Sequence, residues 1–171
     1  MGTLLTGLPP SVGEDCRVLV LGSMPGDASL QAARYYAHPR NRFWPVMASL
    51  CGFSSDLPYE ARLHMLHRAG VGLWDVIGQC ERRGSLDARI VRGSEVANPV
   101  VDLLAAHRSI VAIALNGRRA ADAFHRHVAP QLTRVPTLIE LPSTSPANAA
   151  LRHDDVRDAW AAIAAFLRAT D

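Results

Sequence analysis

The sequence predicts an α/β fold, a three-layer sandwich in which a short, mainly parallel central sheet is flanked by helices. Two observations predict it. Three short runs, at residues 17–21 (RVLVL), 109–115 (SIVAIAL) and 137–141 (TLIEL), are apolar throughout or nearly so and stop at glycine, asparagine or proline. Stretches with helical spacing alternate with them, and strands buried on both faces belong in a parallel sheet covered by helices.

Each element has its own signal. Residues 1–15 hold Gly, Pro and Ser without periodicity and read as a leading loop. The strand at 17–21 runs into a turn at Gly22. Residues 42–51 and 58–69 carry apolar side chains at helical spacing, and Gly70 stops the second helix. The apolar run 72–77 reads as a strand edge, and 85–92 as a loop or short strand. Residues 100–107 predict a helix, and the strand at 109–115 closes on Asn116-Gly117. An Ala-rich helix follows at 118–127. Pro142 breaks the third strand. The last helix spans 154–169, with Asp154 and Asp155 placed to complement its dipole. No repeat or low-complexity segment interrupts this order, and 171 residues suit one domain, 1–171, with one core.

Composition narrows the function classes. Hydrophobic residues make up 49% of the chain and charged residues 20%, an ordinary globular balance. A net charge of +2 permits nucleic-acid binding without arguing for it. The longest apolar stretch near the C-terminus, 159–167, falls well short of the roughly 20 residues of a membrane span, so no membrane association is expected. No charged start leads into an apolar stretch, so no secretory signal is expected. Gly2 with Thr6 fits an acylation pattern that chance matches often. Cys16, Cys51 and Cys80 are odd in number and widely spaced, which argues against disulfides, a zinc site or an iron–sulfur cluster and fits reduced thiols in the cytoplasm. The seven histidines are scattered, and His64 and His67 lack a carboxylate cluster. No metal and no cofactor are expected.

In a parallel sheet the functional groups sit past the carboxyl ends of the strands. Three such ends stand out. The first is Gly22-Ser23-Met24-Pro25-Gly26, a tight loop whose backbone N–H groups can approach a ligand; by itself it also suits an ordinary strand-to-helix turn. It leads to residues 35–44, where Tyr35, Tyr36, Phe43 and Trp44 interleave with Arg40, Asn41 and Arg42. Aromatics among arginines suit base stacking with phosphate partners. Phe43 and Trp44 are expected to bury, with Tyr36 and Asn41 facing a cleft. The second end is Asn116-Gly117. The third runs from Pro142 through Ser143, Thr144, Ser145, Pro146 and Ala147 to Asn148, a stiff polar loop that can grip phosphate or push into a duplex, and that also suits a plain turn.

Taken in order, Gly22-Ser23-Met24-Pro25-Gly26, Ala37-His38-Pro39-Arg40-Asn41-Arg42-Phe43-Trp44, Asn116-Gly117 and Pro142-Ser143 resemble the uracil-DNA glycosylase superfamily over residues 17–150 in outline. The H-P-x-N-R-F-W segment is the specific part. The similarity is nearest to the hypoxanthine-DNA (DNA-deoxyinosine) glycosylases, then to the mismatch-specific thymine/uracil glycosylases. It implies a monomeric, monofunctional DNA N-glycosylase of base-excision repair. Such an enzyme flips a deaminated base, hypoxanthine first, out of DNA and hydrolyses its N-glycosidic bond. A uracil or mismatch glycosylase, a catalytically silent DNA-binding member and a flavodoxin-like small-molecule hydrolase stay open.

The resemblance also implies roles. The mismatch branch has G-I-N-P-G, with its Asn positioning the attacking water; Met24 stands there and cannot hold water. The hypoxanthine branch also lacks a polar residue at that place, so the water passes to Asn41, and Asp27 could help hold it. Tyr36 stacks on the base, with Phe43 in the same pocket, and Asn116 reads the base edge. The backbone of Gly22, Ser23, Met24, Pro25 and Gly26 borders the base and stabilises its developing anion. Asp75, in an apolar run, reads a purine's N–H groups or is a buried loop-tying Asp. His38, Arg42, Ser143, Thr144, Ser145 and Asn148 meet the DNA backbone, and Pro146 and Ala147 supply a wedge. His38 also suits tying down its own loop, and Arg40, Arg42 and Arg118 suit solvated surface charge equally.

Overall fold

The structure, a computed structural model, describes residues 3–169. The chain runs β1 (Thr3–Thr6), β2 (Val18–Gly22), α1 (Asp27–Ala32), α2 (Phe43–Cys51), α3 (Tyr59–Ala69), β3 (Val71–Asp75) and β4 (Ile77–Arg82). It continues through β5 (Val96–Ala97), α4 (Val100–Ala106), β6 (Ala112–Asn116), α5 (Arg118–His127), β7 (Thr137–Leu141) and α6 (His153–Trp160).

Four parallel strands in the order β3-β2-β6-β7 form the central sheet. Alternation along β2 divides the core into two layers. Val18 and Val20 point to one face, where Phe43, Trp44, Met47, Leu66 and Trp160 from α2, α3 and α6 cover them. Leu19 and Leu21 point to the other, against Leu104 and Phe124 from α4 and α5. Every residue of β2 and β3 is buried, as a sheet covered on both faces requires. This is the three-layer sandwich that the sequence predicts.

The differences lie outside that sheet. Residues 3–6 are not loop: β1 pairs antiparallel with β4, from Thr3 opposite Arg82 to Thr6 opposite Gln79. With β5 they make a second, three-stranded sheet in the order β1-β4-β5. Its strands are short and lack a continuous apolar run, so periodicity does not reveal them. In β4 the inward positions are Ile77, Cys80 and Arg82, and a buried arginine hides the strand. The 72–77 run contains the edge strand β3, which ends at Asp75. The last helix is α-helical only to Trp160 and continues as a tighter 3-10 segment, Ala161–Phe166, whose final carbonyl accepts a 2.8 Å bond from Arg17. Gly2 and its acylation pattern lie outside the described residues. Among the described residues no helix is long and apolar enough to cross a membrane.

Candidate active site

The carboxyl ends of the parallel strands bring the candidate residues together. Gly22 of β2 lies in register with Asp75 of β3, and Asn116 of β6 with Leu141 of β7, which leads into the 142–148 loop. Gly22 is glycine because of close approach. A Cβ there would collide with Asp75 Oδ1 and stand 3.5 Å from the Tyr36 hydroxyl.

The loop after Gly22 is fixed by its carbonyls. Gly22 and Ser23 accept hydrogen bonds from Val76 and Ile77 N–H, each at 2.9 Å. Met24 is buried and packs with Ile77 and Cys80, so its side chain leaves the cleft and only its backbone remains. Pro25 has no N–H. The N–H groups of Ser23, Met24 and Gly26 find no acceptor among the described residues, so three donors on one short loop stay unspent. Asp27 opens α1, but its Oδ1 accepts from Arg82 Nη2 at 3.2 Å. That carboxylate is therefore already partnered.

Beside the loop stands an aromatic platform. Tyr36 is stacked on Phe43, with centroids 4.0 Å apart and planes inclined by 24°. Phe43 is fully buried and meets Trp44 and Trp160 edge-on. Tyr36 itself is half-buried and holds a left-handed backbone, φ 55°, which is uncommon for a residue with a Cβ. Burial, and then the nearby Asp75, push its phenol well above its ordinary range, so it stays neutral. Phe43 and Trp44 therefore bury as expected, and Tyr36 and Asn41 reach the surface.

Asp75 is 5% exposed, and its Oδ2 has no hydrogen-bond partner among the described residues. Burial, with a smaller contribution from Asp87, raises its carboxyl to about 7. A carboxyl that holds its proton near neutrality can donate as well as accept. Among the described residues the Asp75 side chain makes no hydrogen bond to the loops around it, so it is buried at the strand end without the tie that a structural Asp would make.

Asn116 is more fully committed. Its Nδ2 donates to the Tyr36 hydroxyl at 3.3 Å and to Thr144 Oγ1 at 3.1 Å, and its Oδ1 accepts from Thr144 N–H at 3.0 Å. It holds the platform against the third loop. Thr144 is 1% exposed and belongs to this internal network. Ser143 and Ser145 hydroxyls cap the N–H groups of Ser145 and Ala147, Asn148 Nδ2 donates to the Ser143 carbonyl, and Ala147 is exposed at the tip. Arg42 grips the same loop, donating to the carbonyls of Leu151 at 2.6 Å and Asn148 at 2.7 Å. Asn41 Oδ1 accepts from Phe43 N–H at 2.9 Å, and His38 Nδ1 accepts from Arg40 N–H, tying its own turn. Among the described residues no cluster of His, Cys, Asp or Glu suits a metal.

The sequence pattern of the Uracil DNA glycosylase superfamily matches residues 9–164. The chain belongs to this superfamily. Within it, the chain is 35% identical over 117 residues to a protein of Methanosarcina acetivorans named hypoxanthine DNA glycosylase, covering 68% of this chain and 73% of that one. It is 41% identical over 85 residues to a Methanosarcina barkeri protein of the same name, covering 49% of this chain and 54% of that one. The second match thus spans about half the length of that relative. A solution NMR structure of a Methanosarcina acetivorans protein, provisionally described as a uracil DNA glycosylase, superposes with a TM-score of 0.80 at 29% identity. That alignment covers 95% of this chain and 97% of the other.

Three side chains at the site of this superfamily member carry no sequence motif: Arg82, Ser85 and Asp87. Ser85 Oγ accepts from Asp27 N–H at 2.7 Å, and Asp87 accepts from the Ser23 hydroxyl. Their one signal is the run of mixed charge from Glu81 through Arg82, Arg83 and Asp87 to Arg89, which has no apolar periodicity.

Proposed function

We propose that this protein is a DNA N-glycosylase of base-excision repair that removes a deaminated base, with hypoxanthine as its first substrate. One observation carries the reading. A partly buried aromatic, Tyr36, lies on the buried Phe43 beside an orphaned carboxyl, Asp75, and on the same site as three loop amides without acceptors. A flat face, an edge reader and an anion cradle are what an extruded base requires.

The chemistry is hydrolysis at C1′. The water oxygen bonds to C1′, the C1′–N bond breaks, and its electron pair leaves on the base. The water's proton is lost and the base is protonated, giving a free base and an abasic sugar. Positive charge builds on the sugar and negative charge on the base. Tyr36 holds the base by stacking. The amides of Ser23, Met24 and Gly26 face its developing anion, and neutral Asp75 donates to it and reads its edge. Asn41 orients the water through the lone pair of Oδ1 not used by Phe43. Asn116 positions Tyr36, and Asp27 anchors its loop. Ser143, Ser145 and Asn148 present the 142–148 loop to the backbone, with Pro146 and Ala147 at its tip as the wedge. DNA is the partner, the protein acts as a monomer in the cytoplasm, and no metal or cofactor enters.

A neutral carboxyl meets a lactam edge with both a donor and an acceptor, which suits hypoxanthine and equally the edges of uracil and xanthine, so the order of substrates rests on the hypoxanthine DNA glycosylase relatives. The test is cleavage of duplex oligonucleotides carrying inosine, uracil or xanthine, with abasic sites revealed by alkali. Abasic product is expected from inosine first. Product from uracil alone makes this a uracil or mismatch glycosylase, and no product from any substrate overturns the enzymatic reading in favour of a silent binder.

A further inference from the structure

The end of β4 and the segment that follows it make three contacts with Ser23 and with Asp27, which flank the amide-bearing loop. Asp87, on the short 3-10 turn Asp87–Arg89, accepts a hydrogen bond from Ser23 Oγ. Ser85 Oγ accepts from Asp27 N–H at 2.7 Å, and Arg82 donates to Asp27 Oδ1 at 3.2 Å. A Cβ on Gly26 would lie 3.3 Å from Ser85 Oγ, so the strap rests directly on the loop.

These contacts are polar at high cost. The Arg82 side chain is 0% exposed, and its Nε and Nη1 have no partner among the described residues. A buried cation with unspent donors destabilises, and an apolar side chain would serve a purely structural strap better. Polar groups that violate packing logic in this way gather where a site's geometry is held. Arg82 and Ser85 hold Asp27, and Asp87 alone reaches Ser23, whose N–H has no acceptor among the described residues.

We propose that Asp87 is a positioning residue for glycosidic cleavage: by holding the Ser23 hydroxyl it aims the amides of residues 23, 24 and 26 at the departing base. The proposal rests on the glycosylase reading above. Asp87 has a second consequence at the same site. It is faced by Arg82 from β4, by Arg119 from α5 and by Asp75 from β3. Burial raises its carboxyl, while the Ser23 hydrogen bond and the two arginines oppose that. Its negative charge in turn helps keep the proton on Asp75.

The test is single-turnover cleavage of an inosine duplex by Asp87→Ala, Asp87→Asn, Ser23→Ala and the double alanine variant, with substrate Kd, Tm and pH profile measured on each. Asp87→Ala and Ser23→Ala are each expected to slow cleavage roughly 10- to 100-fold, with Kd within about threefold. The double variant should be no slower than the worse single one, because both break one contact. Asp87→Asn still accepts from Ser23, so it should recover most of the rate while its alkaline fall in rate moves to lower pH. A merely structural strap would lower Tm in Asp87→Ala and Ser23→Ala and leave the cleavage rate of the folded protein unchanged.

Wild-type rates from both alanine variants, or losses that multiply in the double variant, overturn the proposal. Where Asp87→Ala fails to fold, Ser23→Ala decides alone, since wild-type cleavage by it leaves Asp87 nothing to position. No cleavage by the unaltered chain overturns the proposed function, and this inference with it. Cleavage by the unaltered chain with indifferent variants overturns this inference only.

Discussion

Tyr36 is stacked on Phe43, 4.0 Å between ring centroids, so a partly buried aromatic is seated on a fully buried one. Asn116 pins its hydroxyl from the adjacent strand end. The face turned away from Phe43 is what a flipped base would meet. Tyr36→Ala is expected to lower kcat/KM on an inosine duplex about 10- to 100-fold, the value of one lost base–aromatic stack. Tyr36→Phe keeps the face and should lose only a fewfold. Tyr35→Ala is the contrast. Its ring is 5% exposed and its hydroxyl bonds the Pro9 carbonyl at 2.7 Å, so that loss should appear in Tm rather than in the rate of the folded enzyme. Equal rate losses at both positions would count against the platform.

Asp75 makes stability depend on pH below about 7 and, in its proposed role, makes cleavage depend on pH around and above 7. Its carboxyl titrates at about 7 in the folded chain against 3.8 as the ordinary value. Between those values the folded state binds more protons than the unfolded state, so stability falls as pH rises from about 4 to about 7 and is flat beyond. The cost at the plateau is on the order of 4 kcal/mol. Asp75→Asn should therefore raise Tm at pH 8 and leave it unchanged near pH 4, measured by calorimetry. With Asp75 in its proposed role as a neutral donor, cleavage should decline as pH rises through about 7, and that decline should vanish in Asp75→Asn, whose amide keeps a donor and an acceptor at every pH. A rate that climbs through pH 7 would remove Asp75 as a donor.

What the sequence discloses follows the physics of each element. β2 and β6 are legible because the inner strands of a covered parallel sheet must be apolar on both faces, while the edge strand β7, with Thr137 and Glu140 exposed, is marked by its short Leu-Ile core and the Pro142 that stops it; the residues past their ends are then found by position. Tyr36, Phe43 and Asn41 are legible because aromatics and arginines crowd one short segment. β1 and β4 are not, because a narrow antiparallel sheet with Arg82 facing inward has no apolar run to display. The Ser23–Asp87 contact spans 64 residues, and no spacing rule reaches that far. Asn116 is found by position, but its commitment to Tyr36 and Thr144 becomes visible only once three loops are folded together.

Arg42 shows how the same charge changes meaning with its partners. A cation beside a DNA-binding segment suggests a phosphate contact, yet both terminal nitrogens of Arg42 donate to carbonyls of the loop that follows β7. Arg42→Ala should lower Tm, with a loss of about 1–3 kcal/mol, and slow cleavage by loosening that loop. The slope of log Kd against log salt should stay as in the unaltered protein. A slope reduced by about one would return Arg42 to the phosphate contacts.

Asn41 carries the most exposed part of the mechanism. Its Oδ1 accepts from Phe43 N–H at 2.9 Å and its own N–H donates to the His38 carbonyl at 2.9 Å, so the amide is oriented before any water arrives. One lone pair of Oδ1 remains for that water. Asn41→Ala should reduce single-turnover cleavage roughly 100-fold with substrate Kd unchanged, since orientation is lost and contact area is not. Asn41→Asp keeps the acceptor toward Phe43 and sets a negative charge at the start of α2, where the helix dipole favours it. It should match the unaltered protein in Tm and cleave faster than Asn41→Ala. If Asn41→Ala cleaves at the wild-type rate, the water must be held elsewhere. The remaining carboxylate on the loop is then Asp27, which can accept a water proton only through the oxygen that Arg82 does not occupy.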